Sequence, residues 1–210
     1  MKVFLSELPS LHDLSLSNVV DRIPMSVIAT HGQTLRSLQL QETRHWMQTN
    51  NTTCDANSAG GIKWSCPPIL SLQDINLLNA GCLHLDELTL DIDREPDWPW
   101  PLLQALVQHK NLRFLNLYTS VNSVPSVEDN GSQTLRFNKA SAQHLFLQLR
   151  ALKQGKPLEK LSINLGEWNR LRYDITEHLH PLDYLRGDLF TCFMDYQCDE
   201  VVVKAARADL

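Results

Sequence analysis

Asp91, Asp93, Glu95 and Asp97 alternate along the chain, the spacing with which a calcium-binding loop begins. Such a loop needs glycine at its sixth position for the sharp turn and a bidentate glutamate at its twelfth. Here those positions hold Pro96 and Leu102, so calcium ligation is excluded and the run reads as a solvated acidic edge at the end of a strand. His178-Leu179-His180, near Asp174 and Glu177, is the one close histidine pair among eight histidines. It reads as part of a partly exposed terminal helix rather than a metal centre. Cys82-Leu83-His84 could supply two ligands, but a buried thiol is the simpler reading. The five cysteines, Cys54, Cys66, Cys82, Cys192 and Cys198, are odd in number and scattered, with no C-x-x-C pair. That argues against both a disulfide framework and a structural zinc site. Trp98-Pro99-Trp100-Pro101 could present an aromatic contact to a partner, but a tryptophan packed on the following helix is the better reading. No nucleophile elbow, phosphate loop, dinucleotide fingerprint or paired-histidine zinc motif occurs. We therefore expect no catalytic residue, no metal and no cofactor, and a protein that is not an enzyme.

The elements that would position side chains are set by leucine. The 210 residues hold 36 Leu against 8 Ile and 11 Val. Leu8-x-x-Leu11-x-x-Leu14-x-Leu16-x-Asn18 fits a leucine-rich repeat, and its centre recurs at Leu35-x-x-Leu38-x-Leu40, Leu85-x-x-Leu88-x-Leu90, Leu112-x-x-Leu115-x-Leu117 and Leu158-x-x-Leu161-x-Ile163. The last members fall at 16, 40, 90, 117 and 163, at intervals of 24, 50, 27 and 46. The first and third are one period each; the other two are about two periods, or one period plus an insertion. In L-x-L the two leucines face one side of a short strand. Between the strands the apolar spacing turns helical. Ile75, Leu78 and Cys82 form one stripe behind a cap at Ser71. Leu102, Leu103, Leu106 and Val107 form a second behind Pro99 and Pro101, and Leu145, Leu149 and Leu152 a third behind a cap at Ser141.

A strand–turn–helix unit cannot bury its own apolar face, and stacking hides it between neighbours. The expected fold is therefore α/β: an irregular leucine-rich-repeat solenoid of about five to six units, with a parallel strand row, outer helices and a C-terminal cap. The solenoid would span residues 1–165, with insertions at about 41–66 and 119–134 that are rich in turn residues. Residues 166–210 would be the cap, with strands at Leu189–Tyr196 and Glu200–Lys204 around Gln197-Cys198-Asp199. The first repeat begins almost at Met1, so an open, leucine-exposing N-terminal stack end is expected, covered by a partner or by preceding chain.

Between the leucines, outward residues would line the inner face: Ser15 and Ser17, Gln39 and Gln41, Thr89 and Asp91, Asn116 and Tyr118, Ser162 and Asn164. The row is polar, with one acidic step and one aromatic. It fits a protein partner that is neutral or basic, although any solvated strand row would also look polar. A net charge of −5, from 19 basic and 24 acidic residues with no basic cluster, argues against nucleic acid and anionic membrane as partners. No apolar run approaches the roughly 20 residues needed to span a bilayer. Met1-Lys2-Val3-Phe4-Leu5-Ser6-Glu7 is too short in apolar length for a secretory signal, so an intracellular address, cytoplasmic or nuclear, is expected. The sequons at Asn50, Asn51 and Asn130 and the Arg186-Gly187-Asp188 tripeptide then carry no meaning.

Ser71-Leu72-Gln73-Asp74-Ile75-Asn76-Leu77-Leu78, Cys82-x-x-Leu85-x-x-Leu88-x-Leu90-Asp91-Ile92-Asp93-Arg94 and Asp97-Trp98-Pro99-Trp100 together resemble the leucine-rich region of fungal F-box proteins. Ala140 to Leu152, Lys156-Pro157-Leu158-Glu159-Lys160-Leu161 and Gly166-Glu167-Trp168 resemble the later part of the same group. The resemblance covers about residues 8–198. It implies the substrate-binding half of a cullin–RING ubiquitin-ligase receptor. The F-box itself has no counterpart here, so the ligase adaptor would be a partner only through a box upstream. A non-catalytic scaffold or assembly subunit unconnected to ubiquitination is the alternative.

Overall fold

The computed structural model describes residues 2–8, 10–17, 23–41, 70–92, 97–119, 137–165 and 187–208. Leucine alternation makes the strands. β1 (Asp13–Ser17), β2 (Ser37–Gln41), β3 (Glu87–Asp91), β4 (Phe114–Thr119) and β5 (Lys160–Leu165) are joined in parallel, each to the next in chain order. β6 (Gly187–Asp195) and β7 (Glu200–Ala208) extend the same sheet as an antiparallel hairpin, so among the described residues the sheet has seven strands and is open. The hairpin turns through residues 196–199, where Asp199 takes the left-handed backbone with φ 54° and the Gln197 amide donates to Asp195 Oδ1 at 2.9 Å. The two strands expected near the C-terminus are thus present, each longer than the sequence indicated.

Register places leucine beside leucine. Leu14, Leu38, Leu88, Leu115 and Leu161 form one row across the parallel strands; Leu16, Leu40, Leu90, Leu117 and Ile163 form the next. Cys192 and Phe190 continue the two rows on β6. Apart from half-buried Leu14 at the edge, every member is buried. The approach leucines Leu35, Leu85, Leu112 and Leu158 are buried beneath them.

Among the described residues five helices alternate with the strands: α1 (Lys2–Glu7), α2 (Met25–Ala29), α3 (Leu72–Gly81), α4 (Trp100–Val107) and α5 (Lys139–Leu152). Each packs on the next, and their buried faces join the strand leucines in one continuous core. α3 starts at a capping box: the Asp74 amide donates to Ser71 Oγ, and the Ser71 amide donates to Asp74 Oδ2. α4 starts with proline in its first turn, which loses no hydrogen bond because that turn has no intrahelical acceptor. α5 departs from expectation. Its cap is Asn138, whose Oδ1 accepts from the Ser141 amide, and its buried stripe is Ala142, Leu145, Phe146 and Leu149, leaving Leu152 43% exposed.

α1 is a second departure. Residues 2–7 are helical where a repeat was expected to open, with Leu5 buried against α2. His31, buried, donates from Nε2 to the Leu5 carbonyl at 2.7 Å. The device recurs: His109 Nε2 donates to the Cys82 carbonyl at 2.5 Å, and Lys153 Nζ donates to the His109 carbonyl at 2.6 Å. Each of these donors lies just past a helix and gives a second hydrogen bond to a carbonyl near the end of a preceding helix, which also accepts the amide three residues on (Leu8 to Leu5, Leu85 to Cys82, Leu112 to His109). Backbone contact is closest at Gly32, where a Cβ would lie 1.8 Å from the Gly81 carbonyl oxygen.

The turn-rich insertions, apart from Gln41 and Thr119 at the ends of β2 and β4, lie outside the described residues. So do Asp93, Glu95, Asp174, Glu177, His178, His180, Cys54, Cys66 and the sequons. Among the described residues no helix is long and apolar enough to cross a membrane.

Candidate functional site

The sheet face opposite the leucines carries three side-chain rows. The middle row runs Ser15, Gln39, Thr89, Asn116, Ser162, Thr191 and Lys204. A second contains Ser17 beside Gln41, and Asp91, Tyr118, Asn164 and Leu189 side by side. All ten residues singled out from the sequence therefore share one face. They do not share one environment. Ser15 and Ser17 are exposed; Gln39, Asn116, Tyr118 and Asn164 are half-buried; Gln41, Thr89, Asp91 and Ser162 are buried. A bound molecule would meet the first six directly.

Hydrogen bonds within the face hold its side chains in place. Asn116 Nδ2 donates to Thr89 Oγ1 and to Glu87 Oε1, both at 3.0 Å. Gln39 donates to the side-chain oxygen of Gln41. An ordered amide ladder loses less rotamer freedom on binding than a loose one, which suits recognition.

The third row contains residues that sequence reasoning missed: Asp13, Ser37, Glu87, Phe114, Lys160, Phe193 and Val202. Each of the five parallel strands begins one residue before its first leucine, and that residue faces outward with the polar set. Period-two alternation extended one step upstream would have found the first five. With this row included, the face changes character across the sheet. Asp13, Glu87 and Asp91 lie on β1–β3; Phe114, Tyr118, Lys160, Leu189, Phe193, Val202 and Lys204, together with the acidic pair Asp195 and Glu200 beside the hairpin turn, lie on β4–β7.

A rim of alternating charge borders this row. Arg36, Asp86, Arg113 and Glu159 occupy equivalent positions just before β2, β3, β4 and β5. Arg113 donates from Nε and a terminal nitrogen to both Glu159 oxygens at 2.8 and 2.7 Å, and its other terminal nitrogen lies 3.5 Å from Asp86. The backbone ladder continues here, since the Glu159 and Lys160 amides both donate to the Arg113 carbonyl. Glu159 hydrogen bonding holds the Arg113 guanidinium further above its ordinary pKa, so it is a fixed charge.

Other titratable groups serve the core. Burial pushes the Cys82 and Cys192 thiols up to about 11, leaving them protonated and inert. Burial draws Lys153 down to about 8. It also draws His109 below its ordinary value, against the opposing bond to the Cys82 carbonyl. Among the described residues no three His, Cys, Asp or Glu side chains converge on a point that could hold a metal ion. Comparison with protein-family models, curated proteins and solved structures finds no match.

Proposed function

We propose that this chain is a non-catalytic protein-recognition module, an intracellular leucine-rich solenoid whose outward sheet face reads a segment of a partner protein. The observation that carries the proposal is the register. Five strands stacked in chain order align two full rows of outward residues and part of a third, giving rows that a partner chain can cross. The leucine rows support the solenoid, because the buried leucines of successive units join one continuous core. By its resemblance to the leucine-rich region of fungal F-box proteins, the bound protein would be a ubiquitin-ligase substrate. The adaptor would join through an F-box upstream. Asp13 and Glu87 on the β1–β3 half suit a partner segment that is neutral or basic there.

The test is co-purification from cells with the tagged protein, followed by ubiquitination of the captured partner in the presence of the adaptor. Gln39→Ala with Asn116→Ala is expected to lose the partner. Leu77→Ala on the exposed side of α3 is expected to keep it. Equal capture by both folded variants would overturn recognition by this face; capture without ubiquitination would overturn the ligase role alone.

A scaffold role draws on a different observation. Leu72, Leu77 and Leu83 are 44%, 40% and 50% exposed, and Leu72 and Leu77 line a shallow groove with Gln73 and Asn76. Concentration-dependent self-association abolished by Leu72→Ser with Leu77→Ser would favour it.

A further inference from the structure

We propose that β7 is a docking edge for a second copy of this chain, the two β7 strands pairing antiparallel about a two-fold axis at Val202. Among the described residues β7 ends the sheet, and its one neighbouring strand is β6, which pairs with all nine of its residues. The amides and carbonyls directed away from β6 are thus offered to another strand. Such an edge is ordinarily blunted by proline, by a bulge or by brevity. β7 has none of these. It reads EVVVKAARA, pairs residue for residue without a break, and carries three successive valines, each half-buried. β1, at the other edge, has five residues, two of them exposed serines.

The sequence of β7 selects both the occupant and the register. A two-fold axis perpendicular to the sheet brings outward residues opposite outward residues. Centred on Val202, it sets Glu200 opposite the partner's Lys204, Lys204 opposite the partner's Glu200, and the two Val202 side chains opposite each other. On the leucine side Val201 meets the partner's Val203. Centred on Lys204 instead, the two ammonium groups would collide; centred on Val203, Glu200 would face alanine and no charge would be matched. The hairpin end is acidic, because Asp195 stands beside Glu200. Among the described residues neither Glu200 nor Lys204 has an ion-pair partner in its own chain, and the Lys204 ammonium lies 5.3 Å from the Phe193 centroid. The partner's Lys204 would bring positive charge to that acidic end, twice in each dimer. Main-chain hydrogen bonds and valine contacts then supply the affinity, and the charges fix the register.

The helix layer also ends with apolar surface. α5 packs on β6 and β7, and its Leu147 and Leu152 are 45% and 43% exposed. In the paired sheet both copies would turn their helices to one side and their outward faces to the other. A protein carrying two recognised segments would then be held twice.

The test is sedimentation velocity of the full chain across about 1–200 μM, where a shift from monomer to dimer is expected. Amide hydrogen exchange in β7 is expected to slow over the same range, with no change in β1. Lys204→Glu and Glu200→Lys each set like charges opposite at both ends of the pairing, and each is expected to weaken the dimer at least about tenfold. Mixed in equal amounts, these two variants meet as opposite charges and are expected to form the dimer that neither forms alone. Misfolding cannot produce that rescue. A chain that stays monomeric at every concentration would overturn the proposal, whether or not another protein pairs with the edge. So would a dimer indifferent to both charge variants, or one lost in Leu72→Ser with Leu77→Ser, which would place the contact on α3. Recognition by the outward face stands or falls separately, on capture by Gln39→Ala with Asn116→Ala.

Discussion

Replacing Gly32 with alanine tests the stacking of one unit on the next at its tightest point. The added Cβ would sit 1.8 Å from the Gly81 carbonyl oxygen, 2.4 Å from the carbonyl carbon and 2.8 Å from Cys82 Cα. Ordinary contact for such an atom begins at 3.4 Å, and all three neighbours are backbone, so no side chain can swing aside. From the other side, a Cβ on Gly81 would lie 2.6 Å from that of Ala29, so neither helix end has room to retreat. Gly32 is not in the left-handed backbone region. Alanine there would by itself restrict the unfolded chain and stabilise the fold by about 0.4–1 kcal/mol. Overpacking costs about 1–3 kcal/mol where side chains can adjust, and the larger figure applies to immobile backbone. Gly32→Ala is therefore expected to destabilise by about 2–3 kcal/mol in urea unfolding, against less than about 0.5 kcal/mol for Gln33→Ala on the same exposed turn. The sign is decisive: an unchanged or raised urea midpoint would show that α2 and α3 do not meet at this glycine pair.

Three further outcomes are expected. His109, already donating from Nε2 to the Cys82 carbonyl, must take a second proton on buried Nδ1, and its folded pKa is lowered by burial. The unfolded state then binds more protons below about pH 6.5, so stability present above that pH is lost as pH falls. His109→Gln should flatten the slope in pH-dependent urea unfolding, and an unchanged slope would remove His109 from the account. Iodoacetamide at pH 8 should label Cys198 in the exposed turn and spare Cys82 and Cys192 until urea is added, read by peptide mass spectrometry. Labelling of Cys82 in the native protein would place it outside the core. Arg113→Ala should lower the urea midpoint, and Arg113→Glu with Glu159→Arg should recover part of the loss in a thermodynamic cycle; a midpoint unmoved by either would show that the pair does not hold the rim.

The leucines carried most of the fold in the open. Leu38 and Leu40 repeat as Leu88 and Leu90, and period-two alternation alone assigns both to the buried side. The helices α3 and α4 were legible because Ile75, Leu78, Leu102 and Leu106 recur at helical spacing behind Ser71 and Pro99. Other parts could not be read so directly. Asn138 and Ser141 are both good caps three residues apart, and the choice fell to Asn138 because the buried stripe extends back to Ala142. α1 and α2 have 6 and 5 residues, too few for a period to emerge. His31 and His109 act across units, on carbonyls 26 and 27 residues away, and no local pattern encodes such partners. Of the candidate face, the ten residues after or between leucines were found. Phe114 and Lys160 were overlooked because they precede the first leucine of their strands. Phe193 and Lys204 were overlooked because a terminal hairpin was read only as a cover for the last apolar face.

Methyl–methyl nuclear Overhauser contacts among stereospecifically labelled leucines test the register most directly. Parallel strands about 4.8 Å apart bring neighbouring methyls within range, whereas next-neighbour strands are about 10 Å apart. The expected pattern is an unbroken chain from Leu38 to Leu88, Leu88 to Leu115 and Leu115 to Leu161, with a parallel one from Leu40 through Leu90 to Leu117, and no contact from Leu38 to Leu115. A chain broken between β2 and β3, or leucines paired in the opposite strand direction, would contradict the stacked rows and the face built on them.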